Sequence, residues 1–266
     1  MNRPFAVLAL VALSLATACA SSGSESAGSA SPQPAVPSGG TTTDPLSSLT
    51  YMRQGSVLMQ QGRFEAALEA FQQADRIAPG NATNKNMIGL CHLRMGAFDD
   101  ALAAFSQALE LVPGFTDARN NRGATYLAMG QLHLAEVDFV AVLGDSTYPH
   151  RRQVYYNLAM TYLERDQLGA AIENFQKSIA LPNPVFDGYL QLARLAQRQG
   201  ELDRSKTLLE EARLEFPERI EVSFELGKLL ILMGDEEAAR PYLEQVIAGA
   251  PNSTEAATAR TLLGTS

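Results

Sequence analysis

Tryptophan is absent from this 266-residue chain, cysteine appears twice, and no group of basic residues exceeds the pair Arg151-Arg152. Each shortage excludes something. Two cysteines cannot staple a small loop-rich scaffold, so no disulfide framework is expected. A net charge of −8 argues against nucleic acid, because phosphate binding needs clustered cations. Catalytic and metal patterns are missing as well. There is no HExxH, CxxC, GxSxG, phosphate loop or GxGxxG, and His92, His133 and His150 stand far apart. The chain reads as a non-enzyme, with no catalytic residue, metal, cofactor or small-molecule substrate. The acidic runs Glu210-Glu211 and Asp235-Glu236-Glu237 read as solvated helix faces.

What the chain does have begins with an export signal. Arg3 precedes an apolar stretch, Phe5 to Ala18, broken only by Ser14 and Thr17. Its fourteen residues are too few to cross a hydrocarbon core of roughly 30 Å, so residues 1–18 read as a signal peptide. The stretch ends Leu15-Ala16-Thr17-Ala18-Cys19, which resembles a bacterial lipobox with Ala16 at a place that usually holds Leu. Ala16-Thr17-Ala18 also suits an ordinary signal peptidase. The lipobox resemblance implies that Cys19 is acylated, with chains such as palmitate holding the protein on a membrane. Each buried CH₂ of such a chain contributes about 0.8 kcal/mol. Ala20, where inner-membrane lipoproteins commonly carry Asp, implies the periplasmic face of the bacterial outer membrane. Residues 19–45 then form the lipidated cysteine and a Ser/Gly/Pro/Thr linker, expected to be disordered because it can bury little apolar surface. As a flexible coil, that linker reaches about 28 Å.

From residue 46 the chain repeats itself. Gly62, Gly96, Gly130, Asp166, Gly200 and Gly234 follow one another at 34, 34, 36, 34 and 34 residues. Ala67, Ala101, Ala135, Ala171, Ser205 and Ala239 keep step, and so do Phe71, Phe105, Phe139, Phe175, Leu209 and Leu243. Small residues recur at Gly55, Gly89, Gly123, Ala159, Ala193 and Gly227, where two helices would cross closely. A left-handed corner, a small contact residue and a large apolar filler at this period resemble the tetratricopeptide repeat. Abundant Ala, Leu and Gln suit helix. Pro79, Pro113, Pro217 and Pro251 would stop second helices.

The expected fold is all-α: a TPR α-solenoid, a right-handed superhelix of six helix-turn-helix repeats plus a C-terminal capping helix. The TPR domain would occupy 46–266, with repeats near 48–81, 82–115, 116–151, 152–185, 186–219 and 220–253. The cap would run over 254–263, with Ser253 as its N-cap.

In this repeat the first helices line the concave wall. The register assigns to a partner-binding groove Leu49, Met52 and Met59; Asn86, Leu90 and Leu93; Asn120 and Leu127; then Tyr156, Met160 and Leu163. Such a wall suits an amphipathic helix or apolar strand, with Met adapting to shape and the amides holding backbone. Some of these residues could instead pack between neighbouring helices. Repeats five and six present Arg194, Arg198 and Lys228 beside Leu190 and Phe224.

One interval breaks the beat. It holds Gly144-Asp145-Ser146-Thr147-Tyr148-Pro149-His150-Arg151-Arg152, leading to Asn157-Leu158-Ala159, and Asn120-Asn121-Arg122-Gly123 opens the repeat before it. Here the chain resembles the type IV pilus biogenesis lipoproteins of the PilF/PilW kind, with Tgl a relative. The resemblance implies a pilotin, a lipoprotein needed for a pilus secretin subunit to reach the outer membrane and form its ring. The alternative is a general periplasmic TPR scaffold, for example one organising peptidoglycan hydrolases or envelope assembly.

Overall fold

The structure, a computed structural model, describes residues 45–264. The signal peptide, Cys19 and the linker up to residue 44 lie outside the described residues. Thirteen α-helices and no strands occur among the described residues. Twelve pair into hairpins: α1 (Pro45–Gln60) with α2 (Phe64–Ile77), α3 (Ala82–Arg94) with α4 (Phe98–Leu111), and α5 (Thr116–Ala128) with α6 (Leu132–Leu143). Then follow α7 (Arg151–Glu164) with α8 (Leu168–Ala180), α9 (Phe186–Arg198) with α10 (Leu202–Glu215), and α11 (Ile220–Leu232) with α12 (Glu236–Gly249). A short α13 (Thr254–Leu262) completes the series. None of these helices is long and apolar enough to cross a membrane.

The corners explain the period. The six recurring turn residues hold positive φ, from 57° at Asp166 to 83° at Gly234. At Gly62, its N–H donates to Met59 O (3.0 Å) and the Arg63 N–H donates to Leu58 O (2.9 Å). That pair of bonds satisfies two carbonyls at the end of α1 while reversing the chain. The same two bonds recur at Asp166 and Gln167, so Asp tolerates there what Gly adopts freely. Side chains set some of the helix starts. Asn81 accepts from Asn84 N–H, Ser253 accepts from Ala256 N–H, and Asp235 accepts from Ala238 N–H. Asp235 is therefore more than part of a solvated face: it caps α12.

In the first, second and sixth hairpins the second helix inserts its large side chain against the small residue of the first. A Cβ placed on Gly55 would lie 2.8 Å from the Phe71 ring, and one on Gly227 would lie 2.5 Å from Leu243. Phe71, Phe105, Phe139, Phe175, Leu209 and Leu243 are all fully buried. Burying each contributes about 1.5–3 kcal/mol.

The chain divides into two compact units, one ending at Asp138 and the other beginning at Phe139. The first centres on Met59, Phe71, Leu90, Leu93 and Phe105. The second has one cluster around Phe186, Leu209 and Leu226, and another around Leu230, Leu243 and Val246.

Candidate functional site

In the first unit, α1, α3 and α5 carry the expected wall, and the structure divides its residues into two groups. Leu49 is 57% exposed, while Met52, Asn120 and Leu127 are half-buried. Met59, Asn86, Leu90 and Leu93 are buried, which removes them from any contactable wall. The reason is packing: α3 lies against α5 as well as against its own partner α4, so Leu90 and Leu93 join Phe71 and Phe105 in the core. Asn86 is tied down too, its Oδ1 accepting from Asn121 Nδ2 at 3.0 Å. Asn120, at the equivalent place one repeat on, keeps its Oδ1 buried and free of any hydrogen bond. A buried amide oxygen without a donor is costly, and its burial keeps it, like Asn86, from direct contact with a ligand.

Beneath that wall lies a pair that sequence reasoning did not assign. Arg122 donates from Nε and Nη2 to the two carboxylate oxygens of Asp138, each at 2.8 Å. Its guanidinium also lies 5.9 Å from the Tyr126 ring centroid. The bond to Asp138 raises the Arg122 pKa, so this cation stays protonated and holds α5 to α6.

In the second unit, Tyr156 is buried, its ring centroid 5.5 Å from that of Phe175. Burial, and then the charge of Asp187, push the phenol's pKa up, so it stays neutral and serves the core rather than a groove. Met160 and Leu163 are half-buried and contactable. The expected cations of α9 and α11 are partly spent within the chain: Glu225 accepts from Arg194 at 3.3 Å and from Lys228 at 2.9 Å. Lys228 Nζ also sits 5.1 Å from the Phe224 ring centroid. In the irregular interval, Asp145 Oδ1 accepts from the Thr147 N–H and hydroxyl, and Tyr148 is buried edge-on to His150.

Cys91 is fully buried, and burial pushes its thiol up to about 12, which keeps the nucleophilic thiolate unpopulated. No three His, Cys, Asp or Glu side chains gather as metal ligands would among the described residues.

Helix hairpins with a left-handed corner every 34 to 36 residues, and contactable apolar side chains on α1, α5 and α7, define a repeat scaffold of the protein-binding kind. The chain belongs to the tetratricopeptide repeat superfamily: models described as tetratricopeptide repeat match residues 46–114, 86–143, 153–183 and 196–263. Among solved structures it is similar to PilW, described as a widely conserved type IV pilus biogenesis factor. That likeness has 21% identity and a TM-score of 0.70, covering 79% of this chain and 97% of the other. It is similar to pilF of Pseudomonas aeruginosa at 20% identity and a TM-score of 0.69, over 81% and 97% of the two chains. A weaker likeness, 19% identity and a TM-score of 0.53 over 73% and 99%, joins it to YrrB, a TPR protein with an unusual peptide-binding site. These likenesses establish a shared fold. No curated protein matches the chain.

Proposed function

We propose that this protein is a lipoprotein scaffold of the bacterial outer membrane that holds a segment of a type IV pilus secretin subunit. The observation that carries the reading is the run 120–159, with its Asn-Asn-Arg-Gly and its Tyr-Pro interval, set in a chain whose fold spans 97% of both PilW and pilF. Leu49, Met52 and Leu127 in the first unit offer apolar contact beside the half-buried Asn120. Met160 and Leu163 offer apolar contact in the second. Acyl chains on Cys19 would carry the complex to the membrane.

Affinity capture from a detergent-solubilised envelope with the full chain is the direct test. Secretin subunits are expected in the eluate; peptidoglycan hydrolases without secretin would favour the general scaffold and defeat this reading. Leu49→Glu changes an exposed side chain, so helicity should persist while capture weakens roughly tenfold. Cys19→Ser should leave the repeats folded and move the protein out of the membrane fraction. Continued sedimentation with the outer membrane would mean that acylation is not the anchor.

A further inference from the structure

The last hairpin differs from the one before it in a way the 34-residue register makes exact to compare. In the fifth hairpin, Phe216 packs its ring edge-on to Phe186, centroids 5.2 Å apart, and also lies 6.3 Å from the Tyr189 ring. The Arg219 guanidinium sits over the same Phe186 ring, 4.5 Å from its centroid, and reaches Glu221 Oε1 at 3.4 Å. Ring and cation together seal the junction of α9, α10 and α11.

One repeat later the sealing residues are gone. Ala250 stands at the place of Phe216, and Ser253 at that of Arg219. The backbone has not changed to compensate at the first of these: Phe216 has φ −133° and ψ 64°, and Ala250 has φ −142° and ψ 63°. Ser253 turns its hydroxyl to the Ala256 N–H instead of outward. A cavity of about 160 Å³ results, bounded by Ile220 and Phe224 of α11, Val246 of α12, and Ala250. An apolar cavity of roughly 150 Å³ takes a group the size of benzene, so this one takes one side chain.

Its rim is acidic. Glu221 and Glu255 both border the cavity, and Glu255 occupies the register position that Glu221 holds beside Arg219. The carboxyl group of Glu255 is held below its usual range by its own backbone N–H and then by the Thr254 hydroxyl, which donates at 3.0 Å. That carboxylate therefore stays charged at neutral pH. Those contacts, with Ser253 on Ala256, also occupy donors at the start of α13, so they do not compete for an anion.

We propose that this cavity receives one arginine side chain of a partner polypeptide, taking the place that Arg219 fills for the fifth hairpin. The methylene stem lies along Ile220 and Ala250, both half-buried. The planar guanidinium packs on the half-buried Phe224 ring, which already has Lys228 Nζ 5.1 Å from its centroid, and reaches Glu255 and, beside Arg219, Glu221, a combination that favours arginine over lysine. An apolar side chain would fill the cavity but bring no cation to Glu255, whose only side-chain donor named here is the Thr254 hydroxyl, nor a second one to Glu221 beside Arg219. This site lies wholly in the second unit, on α11 to α13, and stands whether or not the first-unit wall binds a partner.

Methyl NMR of the full chain, titrated with the blocked tripeptide acetyl-Ala-Arg-Ala-amide, tests it. The Ile220, Val246 and Ala250 methyl signals should shift and saturate in roughly the millimolar range, as befits one side chain. The Leu and Glu analogues should shift them far less. Ala250→Phe, which restores the ring of the fifth hairpin, should abolish the saturable shift. Glu255→Gln, at an exposed position, should weaken binding roughly two- to five-fold without affecting folding. The proposal is overturned if the Leu tripeptide saturates the same signals as readily, if no tripeptide does, or if neither substitution alters the arginine titration.

Discussion

Arg122→Ala is expected to lower stability by about 3–5 kcal/mol, a large share of what a unit of this size possesses. The Asp138 side chain is 3% exposed, and Arg122 engages both of its oxygens in a forked, charge-assisted pair. Removing the guanidinium strands a carboxylate where water cannot reach it. Arg122 Nη1 also donates to Ser106 Oγ at 3.4 Å, a contact that is lost with it. The double substitution Arg122→Ile with Asp138→Ala copies the second hairpin, where Ile88 and Ala104 hold the equivalent places. It should return stability to within about 1 kcal/mol of the parent, since an apolar pair of suitable volume replaces a buried ion pair at little net cost. Urea unfolding followed by circular dichroism measures both. A single-mutant loss below about 1 kcal/mol would mean that solvent reaches Asp138 after all.

That pair was visible in the sequence as two departures at once. Position 122 carries Ile88, Leu158, Leu192 and Leu226 in four other repeats, and position 138 carries Ala70 and Ala104 in the two before it. A cation and an acid that break an apolar pattern in the same repeat announce a compensated contact. The corners were equally plain, because a positive φ restricts residue choice more sharply than any other local demand. The wall was less so. Period 34 states which residues recur but not how closely the next hairpin approaches, and that approach decides whether Leu90 and Leu93 meet solvent or Phe105. Asn86 and Asn120 look alike in sequence, yet Asn121 Nδ2 satisfies the Asn86 oxygen while the Asn120 oxygen receives no donor. The cavity by α13 was half readable. The exchange of Phe216 for Ala250 shows in the register, yet whether neighbours collapse into the space depends on side-chain packing that no spacing records.

Phe105→Ala should cost about 3–5 kcal/mol, the usual loss when a fully buried ring is deleted and its surroundings relax only in part. The ring lies so close to α3 that a Cβ on Gly89 would come within 2.6 Å of it, so α3 cannot slide inward far without meeting α4. Gly89→Ala alone should then cost about 1–3 kcal/mol through overpacking. The two sites are coupled by shape. In the fifth hairpin the corresponding residues are Ala193 and Leu209, both buried, which is the pair the double substitution copies. Combining Gly89→Ala with Phe105→Leu should accordingly destabilise less than the two single substitutions added together, by about 0.5–3 kcal/mol. Strict additivity in a thermal or urea double-mutant cycle would mean that the ring and the glycine do not share one space, and that the recurrence of small and large residues has another cause. Leu90→Glu supplies the control for location. At 6% exposure, an introduced carboxylate should unfold the first unit rather than merely weaken partner capture, whereas Leu49→Glu should do the reverse.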